Sequence, residues 1–275
     1  MAKARLLFDE TFKPAVLLLG VYRLLENEGV ETTGERVERL RELVGAGKDE
    51  ELFVIWNEVF LGLVREAAGV RSGTVKRAVL NNLLRQAIVC ACTAMETYLQ
   101  ILLEENLSKV IRCRGDAAYP RDKEMREYFR DFNLGLEGAL SLITGESDPY
   151  EALGRKLLGY FKYKNLGSDK AVKTAGMMLG LESPWEQIAA RLGRGPDELV
   201  QNIQNTFKRR NDIVHRGDRK VGGETGPRQE ITYEWTKQAV ETIENVCMAL
   251  GELVREKVTE LESPLGKVVE IGGVA

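Results

Sequence analysis

The stretch VKRAVLNNLLRQAIVCACTAMETYLQILLEENLSKVIRC, residues 75–113, decides the fold. It contains neither glycine nor proline, and its apolar residues recur with the 3.6-residue period of an α-helix. Because it is the longest such segment in the chain, it predicts a central helix. Its polar residues between positions 87 and 103 lie on one face, which is either solvated or lines a polar pocket. They are Thr93, Glu96, Thr97 and Gln100.

The segments on either side keep the same period, and none has a sustained period of two, so the sequence predicts an all-α fold. A first helix is predicted from about Phe12 to Glu28, with Pro14 in its opening turn. A second, short helix follows a capping box at residues 32–35, and a buried stripe over residues 53–64 predicts a third.

Helix-start and helix-stop signals organise the rest of the chain. An amphipathic helix is predicted over residues 125–140, and Asp-Pro and Ser-Pro pairs at 148–149 and 183–184 predict two helix starts. The last two long helices are expected from about Pro196 to Arg216 and from about Thr232 to Thr259. Four glycines and a proline predict a mobile loop between them, over residues 217–228.

These signals divide the chain into three parts. Residues 1–72 form an N-terminal helical layer, and the Arg-Ser-Gly-Thr stretch at 71–74 is the joint after it. Residues 73–262 form a helical bundle with an inserted helical segment, and residues 263–275 are expected to be a flexible tail.

Composition excludes several classes of protein. With 44% hydrophobic and 29% charged residues, the chain is expected to be globular rather than disordered or membrane-embedded. The apolar run 15–21 is too short to cross a bilayer and lacks a signal-cleavage site, so we expect a cytoplasmic protein with no membrane partner. The four cysteines have no metal-binding spacing, so we expect reduced thiols, no metal and no cofactor.

Three known motifs are matched poorly. Residues 45–48, Gly-Ala-Gly-Lys, lack the first glycine and the Ser or Thr of a phosphate loop. Residues 185–193 are similar to the first half of a helix-turn-helix, but such stretches are common in helical proteins. A Ser-His-Asp or Cys-His system would have to use the single histidine, His215, without an elbow or oxyanion segment.

A basic cluster stands out within this acidic chain. Residues 208–220, KRRNDIVHRGDRK, hold six Lys and Arg against two Asp, a local charge of 6 − 2 = +4 in a chain of net charge −3. This cluster is the local patch that nucleic-acid binding would need.

Helical geometry brings the polar residues of this cluster together. Asn211 and His215 are one turn apart on one face, and Arg210 is one step away with a long side chain. Gly217 is predicted to end the helix, which places His215 in the last turn, where the helix dipole favours a cation. Histidine is the side chain that exchanges protons near neutral pH, and arginine binds phosphate with two parallel donors.

The sequence Arg210-Asn211-Asp212-Ile213-Val214-His215 resembles the Arg-x4-His signature of HEPN proteins, in their RiboL-PSP-HEPN-like branch. The long helix carrying residues 94–99 and the helix after Thr232 stand where that family has bundle helices. The resemblance covers residues 74–260, with an insertion. Another branch carries Tyr two places after the His, where this chain has Gly217.

The resemblance implies a metal-independent endoribonuclease that works at a homodimer interface. His215 would transfer the proton of the 2′-hydroxyl or of the leaving 5′-oxygen, Arg210 would stabilise charge on the phosphate, and Asn211 would orient the His or the phosphate. Two further sets of candidate residues accompany these. Flanking phosphates would be held by Lys208, Arg209, Arg216 and Arg219, and polar support would come from Glu96 and Asp212.

The family also implies the biological setting and a rival function. Its members often act as toxins or in defence against phage, so RNA and an antitoxin or defence-system protein are the expected partners. Other members are inactive and only dimerise, bind RNA or bind nucleotides. Both functions therefore stay open at this point.

Overall fold

The computed structural model describes residues 2–26, 77–115, 130, 132–145, 148–162, 168–219 and 226–271. Within these ranges there are eight α-helices, and the β-type pairing there is an isolated bridge between Arg219 and Arg228. The helices are α1 Ala2–Glu26, α2 Arg77–Arg114, α3 Gly135–Thr144, α4 Pro149–Lys162, α5 Asp169–Met178, α6 Pro184–Leu192, α7 Pro196–Arg216 and α8 Tyr233–Ile271. The predicted all-α class is confirmed.

Helix α2 is the centre of the bundle, as its uninterrupted apolar sequence predicted. It packs against α1, α4, α5, α7 and α8, and between Leu84 and Leu107 its residues are largely buried except on the face that carries Gln86, Thr93 and Glu104. By length and composition α2 is apolar enough to cross a membrane from Leu80 onward. However, 61% of the apolar 18-residue segment that passes this test is buried inside the protein, which is typical of a core helix.

Helix α1 begins ten residues before the predicted start at Phe12, so Pro14 lies inside the helix rather than in its first turn. The physical reason is an apolar stripe that starts near the N-terminus and packs on α2. Proline removes one backbone hydrogen bond, but burial of this stripe outweighs that loss. The buried residues are Ala4, Phe8, Phe12, Ala15, Leu19 and Tyr22.

Two helix starts and one helix are found where the sequence predicted them. Asp148 caps α4, since its Oδ1 accepts from the backbone N–H of Tyr150 at 2.8 Å. Helix α6 begins at Pro184, although the Ser183 side chain makes no capping bond. Helix α7 has the predicted bounds, because Pro196 occupies its first turn and Gly217, with φ +58°, ends it in the left-handed conformation.

The C-terminal helix differs from its prediction. Helix α8 was expected to end near Thr259 and to be followed by a frayed tail from residue 263, but it continues through Pro264 to Ile271. The apolar positions 265, 268 and 269 have helical spacing, which the prediction overlooked because proline and glycine suggested a break.

The second and third predicted helices, the residues 116–129 and the middle of the 217–228 loop lie outside the described residues. The division at residue 72 stays a prediction. Helix α1 nonetheless shares one hydrophobic core with α2 and α8, and Phe8 packs edge-on against Tyr98 of α2 with ring centroids 5.3 Å apart.

We expect Phe8→Ala to lower the free energy of unfolding by about 3–5 kcal/mol, because it leaves a cavity under α2. Leu17→Ala, on the same helix but 67% exposed, should change it by less than about 0.5 kcal/mol. Urea unfolding followed by circular dichroism measures both. Equal small effects would mean that α1 is dispensable for the core.

Candidate active site

Glu96 of the central helix binds Arg210 of α7. Nη2 of Arg210 donates to both carboxylate oxygens, at 2.8 and 2.9 Å, and Nη1 donates to Oδ1 of Asn211 at 3.0 Å. The two charged side chains are only 21% and 24% exposed, so the pair is largely shielded from water but still reachable from the surface. The polar stripe of α2 therefore meets the predicted site at Glu96.

Asn211 and His215 are both exposed on the last turns of α7. They lie one turn apart, so their side chains project from the same face. Among the described residues, the His215 side chain has no hydrogen-bond or ion-pair partner. Val214, beside it, is 52% exposed. The only imidazole of the chain is thus available to a ligand or to another protein chain.

The last turn of α7 is closed by the residues that follow it. The backbone N–H groups of Gly217 and Asp218 both donate to the carbonyl oxygen of Asp212, the second of these at 2.9 Å. The Asp212 carboxylate accepts from Nε2 of Gln229 at 3.2 Å and lies 3.5 Å from Nη1 of Arg216. The turn that carries the exposed His215 is therefore held at its two ends by hydrogen bonds to the backbone or side chain of Asp212 and from the backbone of Asp218.

Asp218 is completely buried between two arginines. Its Oδ2 accepts from Nε of Arg85 at 2.6 Å and from Nη2 of Arg209 at 2.9 Å. Nε of Arg209 also lies 2.6 Å from Oδ1, without the alignment of a hydrogen bond. Both arginines donate to the carbonyl oxygen of Gln229, whose N–H donates to the Asp218 carbonyl at 2.7 Å. Removing one member of such a cluster typically costs about 3–5 kcal/mol.

Arg209 was predicted to hold RNA phosphates, and the structure directs it inward instead. Besides Asp218 and Gln229, it donates to the carbonyl oxygen of Glu230 at 2.8 Å, and its guanidinium lies over the Trp235 ring. Its Nη2 and Nε are directed into the fold because α7 turns this face toward the start of α8.

The other three predicted phosphate contacts are placed differently from one another. Lys208 and Arg216 are exposed, the latter near Asp212. Arg219 is half-buried and donates to the carbonyl oxygen of Gly226 at 2.6 Å, which ties together the two described ends of the predicted mobile loop. The cationic surface is accordingly smaller than the local charge of the sequence suggested.

Sequence reasoning missed Arg85, Asp218 and Gln229. Arg85 is the one charged residue in a stretch of α2 that is otherwise apolar or amide-bearing, and this isolation was the available signal. Asp218 follows the helix-ending Gly217 and, with φ +63°, is itself left-handed, which Asp tolerates better than most residues. Their pairing across 133 residues leaves no trace in local periodicity.

The pKa of Glu96 is raised, because burial disfavours its charged form and the charge and hydrogen bonds of Arg210 offset this only in part. Cys92, one turn earlier on α2, is fully buried, and burial raises its thiol pKa as well. All four cysteines are free. No group of three or more His, Cys, Asp and Glu residues suited to a metal ion occurs among the described residues.

Helices α6 and α7 form a helix–turn–helix, as the sequence of residues 185–193 suggested. However, the first turn of α7, which such proteins insert into DNA, carries Asp197 and Glu198. Carboxylates at that position repel phosphates, so the arrangement does not favour DNA recognition.

Residues 70–256 match the RiboL-PSP-HEPN family, a family of HEPN domains. The match spans more than half of the chain, and the chain belongs to this family. Neither curated proteins nor solved structures gave a match. Membership supports a nuclease or RNA-binding type of function in general, and HEPN domains commonly bind RNA and dimerise.

We expect Glu96→Gln to unfold at the same or a higher temperature than the wild type at pH 7. Because the folded-state pKa of Glu96 is raised, its contribution to stability is fully present below the unfolded pKa and is lost as pH rises through the folded one. The melting-temperature advantage of the variant should therefore grow from acid to neutral pH. Thermal melts across this range measure it.

Glu104→Gln, at an exposed position on the same helix, is the control and should show no such trend. A Glu96→Gln protein that melts well below the wild type at pH 7 would mean that the ion pair with Arg210 mainly stabilises the fold.

Proposed function

We propose that this member of the RiboL-PSP-HEPN family is a metal-independent endoribonuclease. The observation that carries the proposal is the Glu96–Arg210 contact beside the exposed Asn211 and His215. Burial disfavours the charged form of the Glu96 carboxylate, so its ion pair with Arg210 is expected to add little to the stability of the contact between α2 and α7. The contact would instead fix a guanidinium next to Asn211, on the helix that also carries the single imidazole.

The chemistry follows from what these two groups do. An imidazole removes the proton of a ribose 2′-hydroxyl, the 2′-oxygen attacks the phosphorus, and the bond to the 5′-oxygen breaks as that oxygen gains a proton. The products are a 2′,3′-cyclic phosphate and a 5′-hydroxyl. Because the 2′-hydroxyl is the nucleophile, the substrate is RNA rather than DNA.

Arg210 is suited to stabilise the charge that develops on the phosphate oxygens. Arginine has five N–H donors: Glu96 takes both donors of Nη2, Asn211 takes one of Nη1, and the unpaired Nε is buried, so the second donor of Nη1 is the one left for a phosphate. Since the guanidinium is already held and largely desolvated, little reorganisation is needed when the substrate binds. Asn211 would orient Arg210 or the phosphate.

A second copy of the chain would complete the site. Cleavage needs both a general base and a general acid, while each chain has one histidine. A two-fold interface at the end of α7 would bring two copies of His215 together. The exposed Val214 gives this surface an apolar centre that such an interface would bury.

The cations left at the surface define how RNA would approach. Lys208 and Arg216 are exposed on α7 and would hold flanking phosphates, whereas Arg209 and Arg219 would act indirectly by shaping the loop. The chain as a whole is acidic, so binding should depend on this local patch and weaken steeply with salt.

By family analogy, the enzyme would act in the cytoplasm as a toxin or a phage-defence effector, restrained by an antitoxin or a defence-system partner. The rival function is a non-catalytic HEPN module that dimerises or binds RNA or a nucleotide. The inward direction of Arg209 and Arg219 favours this rival, because it leaves few cations for a long RNA.

We expect purified protein to cleave single-stranded RNA in excess EDTA and to leave 2′,3′-cyclic phosphate ends. His215→Ala and Arg210→Ala should each abolish cleavage. Because His215 is exposed, His215→Ala should change the free energy of unfolding by less than about 1 kcal/mol. Fragment-end analysis by mass spectrometry, beside thermal melts, measures both effects.

Lys208→Ala is the matched control on the same helix. It should weaken RNA binding and its salt dependence without stopping the reaction. A folded His215→Ala protein that cuts at the wild-type rate would remove the catalytic role, and activity that requires added magnesium or manganese would overturn the mechanism.

We expect light scattering to give twice the chain mass of 30.8 kDa. If each site uses His215 from both chains, then co-expressing equal amounts of wild type and His215→Ala should leave about a quarter of the activity, since only wild-type pairs work. Mixing the separately purified dimers without exchange should leave about half. A fully active monomer would refute the shared site.

A further inference from the structure

We propose that Asp218 is a positioning residue: by binding Arg85 of the central helix, it fixes where the last turn of α7, and therefore the exposed His215, lies relative to that helix. The effect on catalysis rests on the proposed function. The structural role concerns Asp218 and Arg85, which lie outside the Arg-x4-His motif.

The first observation is that the carboxylate, the carbonyl oxygen and the N–H of Asp218 each have a partner inside the fold, with Oδ1 in an ion pair rather than a hydrogen bond. The carboxylate meets Arg85 and Arg209, the carbonyl accepts from Gln229, and the N–H donates to the Asp212 carbonyl. None of its surface is exposed. A surface loop that follows a helix ordinarily leaves an aspartate in water, so this burial ties the loop to the bundle interior.

The second observation is the backbone conformation of Asp218. Its φ of +63° is one that glycine adopts freely and most other residues avoid. Aspartate tolerates it, but the conformation is held here by contacts on every side. A glycine would satisfy the backbone conformation of this turn, but it would lack the carboxylate that binds Arg85 and Arg209. The Asp218 side chain is therefore explained by its charge.

The third observation is where Arg85 originates. It is on α2, the helix that also supplies Glu96, and eleven residues separate the two. Eleven residues are close to three helical turns, so both side chains leave α2 in nearly the same direction, about 16 Å apart along its axis. Arg210 and Asp218, their partners, bracket the segment that contains Asn211 and His215.

The segment 210–218 is thus held at both ends by one helix. Glu96 fixes the end with Arg210, and Arg85, through Asp218, fixes the end beyond His215. Without the second anchor, the hydrogen bonds from Gly217 and Asp218 that close the last turn would have no support from the interior. His215 would then sample several positions relative to Arg210.

The experiment compares Asp218→Asn and Arg85→Lys with the wild type and with Val254→Ala. Asparagine tolerates the left-handed conformation, so Asp218→Asn removes the charge without adding backbone strain. Lysine keeps a charge at position 85 but lacks the planar fork through which Arg85 binds Asp218 with Nε and the Gln229 carbonyl oxygen with Nη2. Val254→Ala is a core change on α8, remote from the site, and matches a loss of stability without touching the anchor.

His215 is the only histidine, so protein labelled with isotopic histidine gives NMR signals from this imidazole alone. We expect the two anchor variants to shift and broaden these signals, and Val254→Ala to leave them in place. In the RNA cleavage assay, per folded molecule, Asp218→Asn should lower kcat by about 10- to 100-fold with little change in KM. Arg85→Lys should fall between it and the wild type.

Unchanged His215 signals and an unchanged kcat in folded Asp218→Asn or Arg85→Lys would overturn the proposal. If Asp218→Asn is recovered only unfolded, Arg85→Lys decides with the same two measurements. Should the wild type cut no RNA, the proposed function fails, but the NMR comparison still decides whether Asp218 positions His215.

Discussion

The structure depends on the way in which one buried helix holds the end of another. Helix α2 supplies a carboxylate at Glu96 and a guanidinium at Arg85, and each binds an oppositely charged residue in the 210–218 segment. Buried apolar residues of α7 pack in the same core, and the two ion pairs add directed, charge-assisted hydrogen bonds at its C-terminal end. These bonds help to determine which side chains of that end remain at the surface.

The two anchors are unlike in their energetics. The Arg85–Asp218–Arg209 cluster is buried, and its members also bond the backbone after the loop, so it is an integral part of the fold. Glu96 and Arg210 are half-buried, and the raised pKa of Glu96 means that its burial is not fully compensated. A contact in which the charged form of Glu96 is disfavoured is more easily explained by what it does to Arg210.

Sequence alone predicted the parts of this arrangement that depend on local signals. Pro196 and Gly217 define the ends of α7, and the absence of glycine and proline made α2 the central helix. Proline at position 14 misled the prediction, because its local cost was judged without the apolar stripe that begins at Ala4. The Arg-x4-His motif and Glu96 were both identified, but their contact across 114 residues could only be suggested by the shared polarity of two helix faces.

The adjacent residues Arg209 and Arg210 explain why the remainder could not be predicted. They are identical in charge and belong to the same basic run, yet successive side chains on a helix point about 100° apart. Arg210 therefore reaches α2 and the surface, while Arg209 reaches Asp218 and the beginning of α8. A charge count assigns both to RNA. The partners decide otherwise: Asp218, nine residues away, binds Arg209 inside the fold, whereas Glu96, 114 residues away, holds Arg210 where a ligand can reach it. The functional surface of this protein is accordingly what remains after the fold has used the cations that it needs.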